Sequence, residues 1–132
     1  LKDKTYPEKV VINNKTYTVE VADNVVLKQK GLSGHAPLSS DEGMLFIFDF
    51  PNEYGIWMKD MTFPIDIIWI NENQRVVHIE KAVSPDTYPK IFYPSSNASY
   101  VLELSSGEAD RIKLKNGDEV YFLESSARKL EL

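Results

Sequence analysis

The chain has 132 residues, 42% of them hydrophobic and 27% charged, with a net charge of −5, which suits one domain with its own core. Lysines and arginines are scattered, with no basic cluster longer than Arg128-Lys129, so neither a nucleic-acid backbone nor an anionic membrane surface is an expected partner. There is no cysteine, which excludes disulfides, thiolate nucleophiles and Cys-ligated zinc; no apolar run approaches the ~20 residues of a transmembrane helix.

Residues 1–8 are polar and contain Pro7, and are expected to be a flexible segment. The start at Leu1 fits a chain trimmed after a secretion or lipoprotein signal; a cloning boundary explains it equally well. Residues 9–125 are expected to form a single β domain, and residues 126–132 a tail. Val10-Val11-Ile12 and Thr16-Tyr17-Thr18-Val19-Glu20-Val21 flank Asn13-Asn14-Lys15, the pattern of a hairpin. Asp23 or Asn24 can cap a short helix over residues 25–30, ended by Gly31 or Gly34. Three strand-like runs follow, over residues 43–48, 55–61 and 63–70, and the turn residues Asn71-Glu72-Asn73-Gln74 lead into another strand. Residues 82–98 show no periodicity and hold three prolines; a loop that long in a small domain is usually functional or flexible. A strand over 99–104, a second short helix over 108–114 capped by Ser105 or Ser106, and a last strand over 119–124 complete the reading. Short strands with two brief helices predict a mainly β fold, a β-sandwich of jelly-roll type or a flattened barrel.

Two acids fall inside apolar strands. Alternation in Ile65-Asp66-Ile67-Ile68-Trp69-Ile70 puts Ile65, Ile67 and Trp69 on one face and Asp66, Ile68 and Ile70 on the other. In Tyr100-Val101-Leu102-Glu103-Leu104, Glu103 shares a face with Val101. If the two acids converge, they can act as acid and base or bind a cation. The structural alternative is that each accepts bonds from loop N–H groups or pairs with a cation, Lys59 being the natural partner of Asp66. Lys59 shares a face with Trp57, where it can also hold an anion or make a cation–π contact. Met44, Met58 and Met61 read as core filling, and His35 and His78 lack the spacing of metal ligands. No metal site and no cofactor is expected. Loop aromatics, Tyr88 and Tyr93 among them, can stack on a sugar or grip a peptide.

Val21-Ala22, Gly31-Leu32, Gly43-Met44-Leu45-Phe46-Ile47-Phe48, Trp57-Met58-Lys59, Pro64-Ile65-Asp66-Ile67, and Tyr100-Val101-Leu102-Glu103-Leu104 with Ser106-Gly107 occur in that order. Over roughly residues 19–120 the chain thus resembles a prokaryotic family, domain-of-unknown-function family 192. The resemblance implies a single mainly β domain, relatives that carry secretion or lipoprotein signals, and emphasis on Trp57, Lys59, Asp66 and Glu103; it implies no activity. The chain departs from the family pattern at Ser33, where Met is common, and at Asp60-Met61, where Asn-Thr is usual. The second departure sets a carboxylate beside Lys59.

These readings combine into a periplasmic or extracellular binding or accessory domain, not an enzyme, for a polar small molecule, sugar or peptide. Its cleft is expected between the 49–63 and 82–98 loops, with Trp57, Lys59, Asp60, Asp66, Glu103, Tyr88 and Tyr93 as binding residues. The alternatives are a hydrolase or lyase using Asp66 and Glu103, and a module for protein–protein contact.

Overall fold

The structure is a computed structural model that describes residues 6–124; residues 1–5 and the expected tail, 126–132, lie outside the described residues, as does residue 125. The fold is mainly β, as the alternating patterns predict. Strands β1 (Pro7–Ile12), β2 (Lys15–Ala22), β3 (Glu42–Asn52), β5 (Ile65–Ile70), β6 (Val76–Val83), β8 (Ala98–Ser105) and β9 (Tyr121–Glu124) form one sheet. The strand order is β6-β5-β8-β3-β2-β1-β9. Strands β4 (Ile56–Trp57) and β7 (Ile91–Phe92) form a separate two-stranded ribbon. The two helices are α1 (Val25–Lys30) and α2 (Glu108–Arg111).

Local chemistry accounts for most of these elements. Asn13 and Asn14 both have positive φ, 48° and 67°, the conformation of a tight two-residue hairpin turn that asparagine tolerates. The Asn24 carboxamide oxygen accepts from Leu27 N at 2.9 Å and starts α1; Gly31, at φ 49°, ends it. The 55–61 run shortens to the two residues of β4, because Asp60 takes a positive φ of 58° and Met61 N turns back to Met58 O. The long 82–98 segment is not structureless: it holds a 3-10 turn, Pro85–Thr87, and β7.

All pairings in the large sheet are antiparallel except β2 with β3, which are parallel. Parallel neighbours need a crossover, and residues 23–41 supply it, with α1 at its start. The crossover sends Leu32 and Leu38 onto one face of the sheet, where they join Met44, Phe46, Ile65, Ile67, Trp69 and Val101. Met58, Phe63 and Phe92 seal the same face from the β4–β7 side. The opposite face packs Tyr17, Leu45, Ile68, Ile70, Leu102 and Leu104 against Ala109, Leu114 and Val120. All six residues of β5 are buried, so each large apolar side chain there contributes about 1.5–3 kcal/mol. The sheet coils until its edges approach through an Arg75–Glu119 bridge and the bond Val76 N to Asp118 O at 3.0 Å. It does not close, so of the two architectures expected the flattened barrel is not the one adopted.

Gly43 sits where β3 presses on β8. A Cβ there would lie 2.8 Å from Leu104 Cδ2 and 3.0 Å from the Glu103 carbonyl oxygen. Gly43→Ala should therefore lower stability by about 1–3 kcal/mol, the scale of overpacking, read as a lower urea midpoint with an unchanged m-value.

Candidate functional site

The register of β5 on β8 decides where the two acids go. Ile67 lies opposite Glu103, and Asp66 opposite Leu104. Residues that face each other across a ladder share a side of the sheet. Glu103 therefore points to the face covered by the crossover and the ribbon, and Asp66 to the face covered by α2. The two carboxylates do not converge.

Asp66 is fully buried, and each of its carboxylate oxygens accepts one backbone N–H. Its Oδ1 accepts from Ala82 N at 2.8 Å and its Oδ2 from Ala109 N at 2.7 Å. The second bond caps α2, a task expected of Ser105 or Ser106; the helix instead begins at Gly107, which makes no side-chain cap. The structural alternative thus describes Asp66, although its partners are N–H groups and not Lys59. Beside it lies Glu108, a buried acid that the sequence pattern did not single out. Glu108 Oε1 accepts from Lys15 Nζ at 2.6 Å and from the Tyr17 hydroxyl at 2.8 Å, and its Oε2 pairs with Arg111. Burial, reinforced by the charge of Asp66 and opposed by Arg111, pushes the Tyr17 phenol up to about 12. Its partners Lys15 and Tyr17 come from β2, far along the chain, and only Arg111, three residues on, is local.

Glu103 is the contrasting case. It is 4% exposed, and no hydrogen bond or ion pair reaches its carboxyl among the described residues. Burial pushes that carboxyl up to about 8, so it is neutral through the neutral pH range. It forms the floor of an open cleft of about 810 Å³, together with Phe46 and Ile65. One wall is α1 with Gly31, Leu32 and Ser33; the other is the 55–61 segment, including Trp57, Met58, Lys59 and Asp60.

Of the expected site residues, Trp57, Lys59, Asp60 and Glu103 meet in this cleft. Lys59 makes no ion pair among the described residues; its Nζ lies 5.7 Å from the centre of the Trp57 ring. Tyr88 and Tyr93 do not line the cleft. Tyr88 tilts against Trp57 with ring centres 5.2 Å apart, and Tyr93 abuts Gly55, where a Cβ would come within 2.7 Å of its ring. Both buttress the wall from behind. The 82–98 loop does not bound the cleft; α1 does, and Lys28, Lys30 and Ser33 come with it. Nothing along the chain marks α1 as a cleft wall; that none of its residues is buried is visible only in the structure. His35 pins this crossover to β2: Nε2 meets Glu20 Oε2 at 2.6 Å and Nδ1 meets Ala36 O at 2.5 Å. Two acceptors call for two ring protons, and the Ala36 carbonyl followed by Glu20 raises the imidazole's pKa accordingly.

Similarity to known proteins extends over nearly the whole described chain. The profile of the DUF192 family, described as Uncharacterized ACR, matches residues 8–122, and the chain belongs to that family. A crystal structure of a protein of unknown function from Novosphingobium aromaticivorans DSM 12444 is similar at 28% identity and a TM-score of 0.81, covering 89% of this chain and 85% of the other. A crystal structure of a candidate transcription regulator from Sinorhizobium meliloti 1021 is similar at 26% identity and a TM-score of 0.82, covering 92% and 97%. No curated protein matches the chain.

The two acids should respond oppositely to substitution. Asp66→Ala leaves the buried Ala109 N–H and the part-buried Ala82 N–H without their acceptor and should cost about 2–5 kcal/mol in urea denaturation. Glu103 has a folded pKa of about 8, above its ordinary 4.5. The folded state therefore holds a proton that the unfolded chain has released, and this contribution is full below pH 4.5 and lost as pH rises through 8. Across that window it falls by ~1.4 kcal/mol per pH unit at most. Glu103→Gln should remove this slope and gain on the wild type as pH rises; parallel stability profiles from pH 5 to 9 would contradict it.

Proposed function

We propose that this member of the DUF192 family is a non-enzymatic binding module that takes a polar small molecule or the end of a peptide into the cleft above Glu103. The observation that carries this reading is a buried acid with no partner among the described residues, at the floor of an open cleft. An unpaired buried carboxyl costs stability, and a ligand oxygen that accepts its proton offsets that cost. Trp57, 44% exposed and braced by Tyr88, supplies a broad apolar contact at the mouth. A hydrolase or lyase built on Asp66 and Glu103 loses its support, because the two acids face opposite sides of the sheet. The Sinorhizobium neighbour's description does not lead to nucleic acid here: the chain carries a net charge of −5, and its clustered lysines edge a cleft rather than a stripe.

A thermal-shift screen of saccharides, short peptides and organic acids tests the reading. A ligand at a hundred times its Kd should stabilise the wild type by ~2.7 kcal/mol. Trp57→Ala and Glu103→Leu should each abolish the shift while folding normally. A hit that both variants retain would move the site elsewhere.

A further inference from the structure

We infer that the cleft selects an amphiphilic organic anion, with an apolar body against its walls and a carboxylate or phosphate head held at its mouth by Lys28, Lys30 and Lys59. This deepens the binding reading above and rests on it. Charge is the first observation. The chain as a whole is acidic at −5, yet three lysines line this one cleft against two acids, Asp60 and the buried Glu103. Glu103, being neutral, does not cancel them. None of the three lysines makes an ion pair among the described residues. Lys28 lies 4.7 Å over the Phe48 ring and Lys59 lies 5.7 Å over Trp57, whereas Lys15, Lys81 and Lys115 are each paired with an acid. Three unpaired cations around one opening focus a positive potential there.

The lining is the second observation. Phe46, Ile56, Met58, Met61 and Ile65 give the floor and walls more apolar than polar surface. The neutral polar side chains are few: Gln29 and Ser33, and the Ser33 hydroxyl already donates to the Lys59 carbonyl at 2.9 Å. A saccharide would set its hydroxyls against carbon with few partners, and each unmatched one is costly. An apolar body avoids that cost, and Glu103 remains a single donor for an acceptor oxygen along it.

Four probes of matched length separate the contributions: octyl phosphate and octanoate as anions, octanol as the neutral analogue and octylammonium as the cation. Binding is read from tryptophan fluorescence. Trp57 lines the cleft, while Trp69, the second of two tryptophans, is fully buried with its Nε1 bonded to the Tyr54 carbonyl at 2.8 Å. The anions should bind about 10-fold tighter than octanol, the scale of three exposed charge contacts, and lose that margin at high salt. The triple variant Lys28→Gln, Lys30→Gln, Lys59→Gln should bind the anions no better than octanol. Equal affinity for octanol and the anions, or tighter binding of octylammonium, would overturn the inference while leaving a binding cleft. No response to any of the four would overturn the inference, and a saccharide or peptide hit in the screen above would then keep the cleft reading alive. Retention of the protein on phosphatidylglycerol vesicles, with no response to monomeric octyl phosphate, would overturn it in favour of a membrane surface.

Discussion

The pairing of β5 with β8 is the constraint from which the rest follows. Ile67 against Glu103 and Asp66 against Leu104 is one register among several that two apolar strands could adopt. A slip by one residue would exchange the faces of every side chain on β5. The register holds because both faces are covered: Ile65, Ile67 and Trp69 belong to one apolar cluster, and Ile68 and Ile70 to the other. Two buried acids one step apart across that ladder are thereby sent to opposite sides of the sheet and to different physical roles.

Asp66 is an acid the fold uses. It stands in for the missing side-chain cap of α2 and holds Ala82, whose φ of 49° a non-glycine residue seldom adopts. With Glu108 and its cations nearby, it ties β2, β5 and α2 into one polar knot on an otherwise apolar face. Glu103 is an acid the fold merely tolerates. Its neighbours across the sheet are Met44 and Ile67, neither of which can satisfy a carboxyl. Packing and stability alone would favour an apolar residue there, yet the acid stands at the floor of the cleft.

The cleft exists because of topology. A parallel β2–β3 pair obliges the chain to cross over one face, and the crossover meets the β4–β7 cover without merging with it. Gly31 allows the close approach on one side, since a Cβ there would lie 3.2 Å from the Phe46 ring. Gly55 does the same on the other side against Ile91 and Tyr93. What lies between is a gap with an apolar base and a basic edge.

Much of this was legible along the chain. The alternation in residues 65–70 assigned each isoleucine to its face, Asn13-Asn14 marked the hairpin, and Asp23 or Asn24 with Gly31 or Gly34 bracketed α1, because these are local choices set by backbone geometry and nearest neighbours. Trp57, Lys59 and Glu103 stood out along the chain because charges and exposed aromatics contrast with apolar strands, and all three line one cleft. Whether Asp66 and Glu103 meet was not legible, since each strand's alternation is known only relative to itself and their mutual register is a property of the sheet. The same holds for Glu108, two of whose partners lie 93 residues away at Lys15 and 91 away at Tyr17, and for Lys28 and Lys30, which line the cleft only because the crossover lays α1 beside residues 55–61. The sequence by itself determined which residues are buried, turning or charged; tertiary structure alone decided which of them share a face, because side chains far apart in sequence meet only through strand register and chain crossover.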